Sequence, residues 1–230
     1  MRPSRWRSAI RRHGTAGVAR IALARLATWL HDRVDVLIFR ATAAEIRPTT
    51  LASLAGRRVT IACEILRDDT PSFATPPDSS ALLASYLAFD HRGQRLYSAW
   101  VDGELAGWGL SNEGAASWPI LETRSSVPLA TTECAFTSFY VRPVFRGHRL
   151  LQALLSRMAS DAAGRGVTTI WVWCHDWNAP SRRSIERVGF RLSARHRRRY
   201  IMGMGGPLRR TAIEGHGTIV APARSPSPSP

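Results

Sequence analysis

Residues 141–155 read VRPVFRGHRLLQALL, and the junction inside that stretch decides the fold. Val141 closes the β-forming run ECAFTSFYV, residues 133–141, which predicts a strand. Leu150, Leu151, Leu154, Leu155 and Met158 then recur at helical spacing, which predicts a helix ending at Gly164 or Gly166. Pro143, Arg146 and Gly147 between them are turn residues. A helix start leaves its first backbone N–H groups without intrahelical partners. Its partial positive charge adds to Arg146 and Arg149. Such a junction is a cradle for an anion and suits a pyrophosphate, and Gly147 lets backbone and ligand approach closely.

Around this junction the chain alternates. VDVLIFRA (34–41), RRVTIACEIL (57–66), RLYSAWV (95–101), ELAGWGL (104–110) and VTTIWVW (167–173) read as strands. Asp102-Gly103 is a hairpin signal. ALLASYLAFDHRG (81–93) reads as a helix after the loop DDTPSFATPPDSS (68–80). SNEGAASWPILETRSSVPLATT (111–132) is expected as a long loop bordering a site. RLSARH (191–196) and RRYIMGM (198–204) are expected as two closing strands. The pattern gives an α/β (α+β) domain over residues 34–205, with helices flanking a mixed sheet.

The 230 residues suffice for one substantial core, and 44% hydrophobic content with eight tryptophans marks a globular chain. Residues 1–33 are expected as a basic amphipathic helix, in which Val18, Ala22, Leu26 and Trp29 share a face with Leu23 and Leu30. It is expected to pack on the domain; weak contact with an anionic membrane surface is the sharper alternative. Residues 206–230, ending ARSPSPSP, are expected as a disordered tail. The formal charge of +15 draws phosphates. All 32 basic residues are arginine, however, a composition that reads as coding bias rather than affinity for nucleic acid. Cys63, Cys134 and Cys174 lack CxxC spacing and are expected as buried thiols in a reducing compartment, not as a disulfide frame or metal site. No apolar stretch has membrane-spanning length, and IALARLATWL (21–30) is interrupted by Arg25. A cytoplasmic location is expected.

Val141, Pro143, Arg146 and Gly147, followed by NAPSRRSIERVGF (178–190) with Asn178, Ser181, Gly189 and Phe190, resemble the two ordered signatures of the GNAT acyltransferase superfamily. The resemblance runs from about residue 95 to 203. It implies a mostly antiparallel sheet in which the parallel strands 133–141 and 167–173 splay apart, with acetyl-coenzyme A as cosubstrate. The pantetheine arm would lie along Phe139, Tyr140 and Val141. The pyrophosphate would sit on Arg146, Gly147, His148, Arg149, Leu150 and Leu151, with Asn178 and Ser181 touching the cofactor. Arg149 and Leu151 stand where small residues are usual. Ile185 stands where many members carry a tyrosine that protonates the departing thiolate.

Acyl transfer needs a base for the attacking group and N–H donors for the oxyanion. Glu133 and Asp176 are the candidate bases, with His175 and Glu122 as further candidates, and the backbone near Val141 is a candidate donor. Trp171 and Trp173 alternate as core residues do, while Trp177 is the candidate for lining a substrate pocket. Tyr200, at the end of RHRRRY (195–200), is a candidate to replace the missing acid, although no spacing points to it. The expected reaction passes acetyl directly to an amine or alcohol of a small molecule, with no specific nucleic-acid partner. Two other readings stay open: a coenzyme A-binding domain without catalysis, and a basic module for nucleic acid or membrane.

Overall fold

β-Branched and aromatic residues on a period of two build the central element, a mixed sheet. The computed structural model describes residues 32–49, 51, 54, 56–66, 94–201 and 204–213. The strands are β1 (Asp32–Thr42), β2 (Val59–Ile65), β3 (Arg95–Val101), β4 (Glu104–Glu113), β5 (Ser117–Ile120), β6 (Ser125–Pro128), β7 (Glu133–Val141), β8 (Thr169–His175), β9 (Arg191–Ile201), β10 (Met204–Gly205) and β11 (Arg209–Ala212). The helices are α1 (Leu150–Gly164) and α2 (Ala179–Val188). The expected segments at 1–31, 68–80, 81–93 and 214–230 lie outside the described residues.

The main sheet runs β10-β9-β1-β8-β7-β4-β3-β2, with β11 also on β9. β7 and β8 are parallel; the other pairings are antiparallel. The first described strand therefore lies between β8 and β9, far from β2 in the sheet. Asp35 of β1 locks that placement through Arg197 of β9 and its own neighbour Arg33, each at 2.6 Å. Burial pushes its pKa up, but the two guanidinium groups prevail and hold the carboxyl below its usual range.

Both sides of the sheet are covered. Leu154, Leu155 and Met158 of α1, with Ile185 and Val188 of α2, join Leu37, Phe39, Phe136 and Val172 in one core. On the opposite face β5 and β6 pair as a hairpin. Its Trp118, Ile120 and Val127 cover Val36, Ile38, Ala135 and Trp171. Burying each such side chain stabilises by about 1.5–3 kcal/mol.

Four expectations are corrected. Cys63 is an exposed thiol on the edge strand β2, not a buried one. Residues 111–132 are not one long loop: β4 continues to Glu113, and the remainder supplies the hairpin. RLSARH and RRYIMGM are not two strands, because β9 runs unbroken from Arg191 to Ile201. Its Ala194, His196 and Tyr200 alternate inward, a period of two masked by the arginines between them. The ordered fold also passes residue 206, since β11 pairs Arg209 to Ala212 with β9.

Candidate active site

The site begins where the parallel pair comes apart. β7 and β8 pair from Glu133↔Thr169 to Phe136↔Val172 and no further. Two residues on, Ser138 takes a left-handed φ of 54°, and the register of β7 against β4 slips between Trp108 and Leu110. This bulge re-aims the strand. The amide of Arg142 bonds Ala106 O at 2.9 Å. By the period of two, the amide of Tyr140 also turns to β4, which leaves Phe139 and Val141 to present their polar groups to the open edge.

A cavity of about 490 Å3 fills the opening. Thr137, Ser138 and Phe139 line it from β7, and Trp173, Cys174 and His175 from β8. Leu151 and Leu155 come from α1; Asn178, Ser181 and Ile185 come from α2 and its start. Trp118, Pro119, Leu121 and Glu122 close it from the hairpin side. The cleft thus passes from the helical face of the sheet to the hairpin face. Gly109 is required at its edge, because a Cβ there would stand 2.5 Å from the Phe139 ring.

At the helical end, Phe145 is buried with the guanidinium groups of Arg57 and Arg142 5.6 and 5.7 Å from its ring centroid. This anchors the turn before α1. Gly147 follows at φ 85° and Arg149 at φ 60°, so the chain makes two left-handed steps into the helix. The amides of Gly147 to Gln152 find no backbone acceptor among the described residues. A Cβ at Gly147 would meet nothing within 4 Å. His148 Nδ1 is buried without a hydrogen-bond partner. Donors without backbone acceptors, beside open space, fit a phosphate group.

The expected binding residues separate by position. Phe139, Leu151, Asn178 and Ser181 line the cleft; Arg146, Gly147 and Arg149 are exposed around the turn. Asn178 also caps α2, its side chain accepting from Ser181 N at 3.3 Å. Leu150 is buried in the core and offers only its backbone. Val141 O accepts from Arg146 Nε at 3.0 Å. The ring of Tyr140 packs on Trp108 at 4.6 Å, on the side away from the helices.

The two leading candidate bases are not brought to the cleft. Glu133 sits at the zipped end of the strand pair and accepts from Ala130 N and Trp171 Nε1, each at 3.2 Å. Asp176 is held by Arg195 at 2.8 Å. Both carboxylates are engaged structurally, at places the cleft does not reach. Glu122 does line the cleft, and its Oε2 is buried without a hydrogen-bond partner. A buried acceptor left unmatched in a cavity is the mark of a ligand-facing group. It lies in a 3-10 turn, Leu121–Thr123. His175 also lines the cleft, edge-on to Trp173 at 5.4 Å and stacked with Trp177 at 5.0 Å.

Tyr200 does not enter the cleft; its hydroxyl donates to Glu122 O at 2.8 Å. Ile185 is 3% exposed and carries no proton to give. Cys174, a wall residue overlooked in the sequence, has its thiol pushed up to about 12 by burial and stays protonated. Trp118 was also overlooked, although the alternation of Trp118 with Ile120 is the period-two signal of a half-buried strand. For Ser138 no sequence signal exists, since its left-handed turn is imposed by the sheet.

Residues 60–190, more than half of the chain, match the family model described as "Acetyltransferase (GNAT) family". Uncharacterized N-acetyltransferases of Mycobacterium bovis and Mycobacterium tuberculosis are each 24% identical over 162 residues, covering 66% of this chain and 93% of theirs. Among solved structures, a putative GNAT acetyltransferase from Novosphingobium aromaticivorans aligns with TM-score 0.44 and 17% identity, over 72% of this chain and 62% of that one. The glucosamine N-acetyltransferase region of a fungal multi-domain β-N-acetylglucosaminidase aligns with TM-score 0.49 and 14% identity, over 77% of this chain and 22% of that one.

Proposed function

We propose that this chain, which belongs to the GNAT acetyltransferase family, moves acetyl from acetyl-coenzyme A to an amine of a small molecule by direct attack. One observation carries the reading: a single cleft joins an unpaired strand edge and helix start on one side of the sheet to the unmatched Glu122 carboxylate on the other. The amides from Gly147 to Gln152 hold the pyrophosphate, with Arg146 and Arg149 beside them. The open edge at Phe139 and Val141 takes the pantetheine arm, and Asn178 and Ser181 face it from α2. The cofactor supplies an activated acetyl thioester.

The chain's own residues do the rest. Glu122 accepts the hydrogen bond of an incoming ammonium and takes its proton, leaving a neutral amine able to attack. An amide on the open edge of β7 stabilises the oxyanion. With isoleucine at 185, the proton for the departing sulfur comes through the open mouth of the cleft. Among the described residues no helix is long and apolar enough to cross a membrane; a cytoplasmic setting is part of the proposal.

Two measurements test this reading. Acetyl-coenzyme A at 100 times its Kd is expected to stabilise the fold by about 2.7 kcal/mol, and amines are expected to provoke thiol release. Absence of stabilisation removes the cofactor site. Stabilisation without thiol release for any amine or alcohol favours a binding domain that does no chemistry.

A further inference from the structure

The hairpin side of the cleft contrasts with the rest of the molecule. The chain carries 32 arginines and a formal charge of +15, yet among the described residues no arginine lines the cleft. Glu122 is the one carboxylate on its wall among the described residues, with an unmatched buried oxygen. An anionic group brought against Glu122 faces a like charge, which penalises it. A cation finds a prepared acceptor.

A second observation describes the body of the ligand. Trp173, His175 and Trp177 stand two residues apart along β8 and the turn that follows it. Trp173 packs with the hairpin-side cluster, so the row runs from the cleft wall towards solvent on that side. His175 and Trp177 stack at 5.0 Å with 15° between their planes, yet Trp177 remains 77% exposed. An exposed indole held flat against an imidazole is a preformed platform for a planar group.

We infer that the acceptor is a monocationic primary amine on a planar apolar body, with no carboxylate or phosphate near the amine. The ammonium pairs with Glu122, and the body lies along the row of rings. This rests on the acyl-transfer reading above and narrows its acceptor.

The test compares phenethylamine, phenylalanine methyl ester, phenylalanine and hexylamine as acceptors with acetyl-coenzyme A. Thiol release reads turnover, and calorimetry on the same protein reads binding. Phenethylamine and the ester are expected to exceed phenylalanine in kcat/KM by about 100-fold, since their amine has no anionic neighbour. Trp177→Ala is expected to lower kcat/KM for phenethylamine roughly five times more than for hexylamine, mostly through KM. Phenylalanine used as well as its ester, or equal losses for the two amines in the Trp177 variant, would overturn the inference. Thiol release confined to anionic acceptors would also overturn it while leaving acyl transfer standing. Selective binding of phenethylamine without thiol release would support the ligand class and sink the acyl-transfer reading instead.

Discussion

The phenol of Tyr200 donates to the backbone carbonyl of Glu122 at 2.8 Å, so β9 holds the turn that presents the cleft's carboxylate. The same turn is backed by a polar chain: Thr123 Oγ1 meets Ser125 Oγ at 2.7 Å, and Ser125 Oγ meets His196 Nδ1 at 3.1 Å. Tyr200→Phe leaves a carbonyl unpaired and is expected to cost about 1–3 kcal/mol of stability. Loosening the turn is also expected to lower kcat about tenfold, with the KM for acetyl-coenzyme A unmoved. Denaturation and steady-state kinetics read both effects. An unchanged kcat in a destabilised variant would confine Tyr200 to structure.

Among the acids, only Glu122 is expected to be indispensable. Glu122→Gln should reduce kcat by about 100-fold or more without altering acetyl-coenzyme A binding. Glu133→Gln and Asp176→Asn act on groups held by Trp171 and Arg195. These two variants are expected to keep kcat within about threefold while losing some stability. A severe kcat loss in either, in a protein that still binds cofactor, would return the base to that position.

The turn before α1 permits two opposite changes. Arg149 holds a left-handed φ of 60°, a conformation that costs a side-chain-bearing residue about 1–2 kcal/mol. Arg149→Gly is expected to recover about half of this, after the extra chain entropy of glycine, and to raise the melting temperature. Gly147→Val puts bulk into open space at φ 85°. It is expected to weaken acetyl-coenzyme A by about tenfold or more, a change that calorimetry measures directly. Unaltered affinity would detach the phosphate site from this turn.

His196 sets an acid limit on stability. Burial, helped by the charge of Arg210, lowers its pKa from the ordinary 6.5 to about 4. The unfolded chain binds a proton between those values and the folded chain does not. The stabilisation is therefore complete above pH 6.5 and drains away as pH falls towards 4, by about 3 kcal/mol. His196→Gln is expected to flatten that part of the stability–pH curve. Urea melts at pH 7, 5.5 and 4.5 compare the two proteins, and parallel curves would show that His196 is not responsible.

Local chemistry made much of the fold legible. Asp102 and Gly103 turn the β3–β4 hairpin because that pair tolerates positive φ, with φ of 53° and 83°. Asn178 starts α2 as a cap, and Gly189 ends it at φ 120°. Leu154, Leu155 and Met158 face the core because a period near 3.6 leaves them no other side. The arginines of β9 hid an equally local signal, because charge on one face conceals alternation on the other.

Which carboxylate faces the cleft was not legible in the same way. Glu133, Asp176 and Glu122 are equivalent carboxylates in the sequence, and all lie near strand ends or turns. Strand pairing engages the first and an arginine of β9 the second; folding the hairpin over the cleft leaves the third unmatched. Those contacts join residues far apart in sequence, as from Glu122 to Tyr200. No periodicity encodes them.

By itself, then, the sequence determined α1, α2, the β3–β4 hairpin and the glycine turn before α1, since caps, glycines and apolar spacing act over a few residues. Only the tertiary structure decided where β7 leaves β8, which carboxylate faces the gap, and how the rings of Trp173, His175 and Trp177 line up. Those outcomes depend on which distant groups compete for the same hydrogen bonds and the same buried space, and packing alone settles that competition.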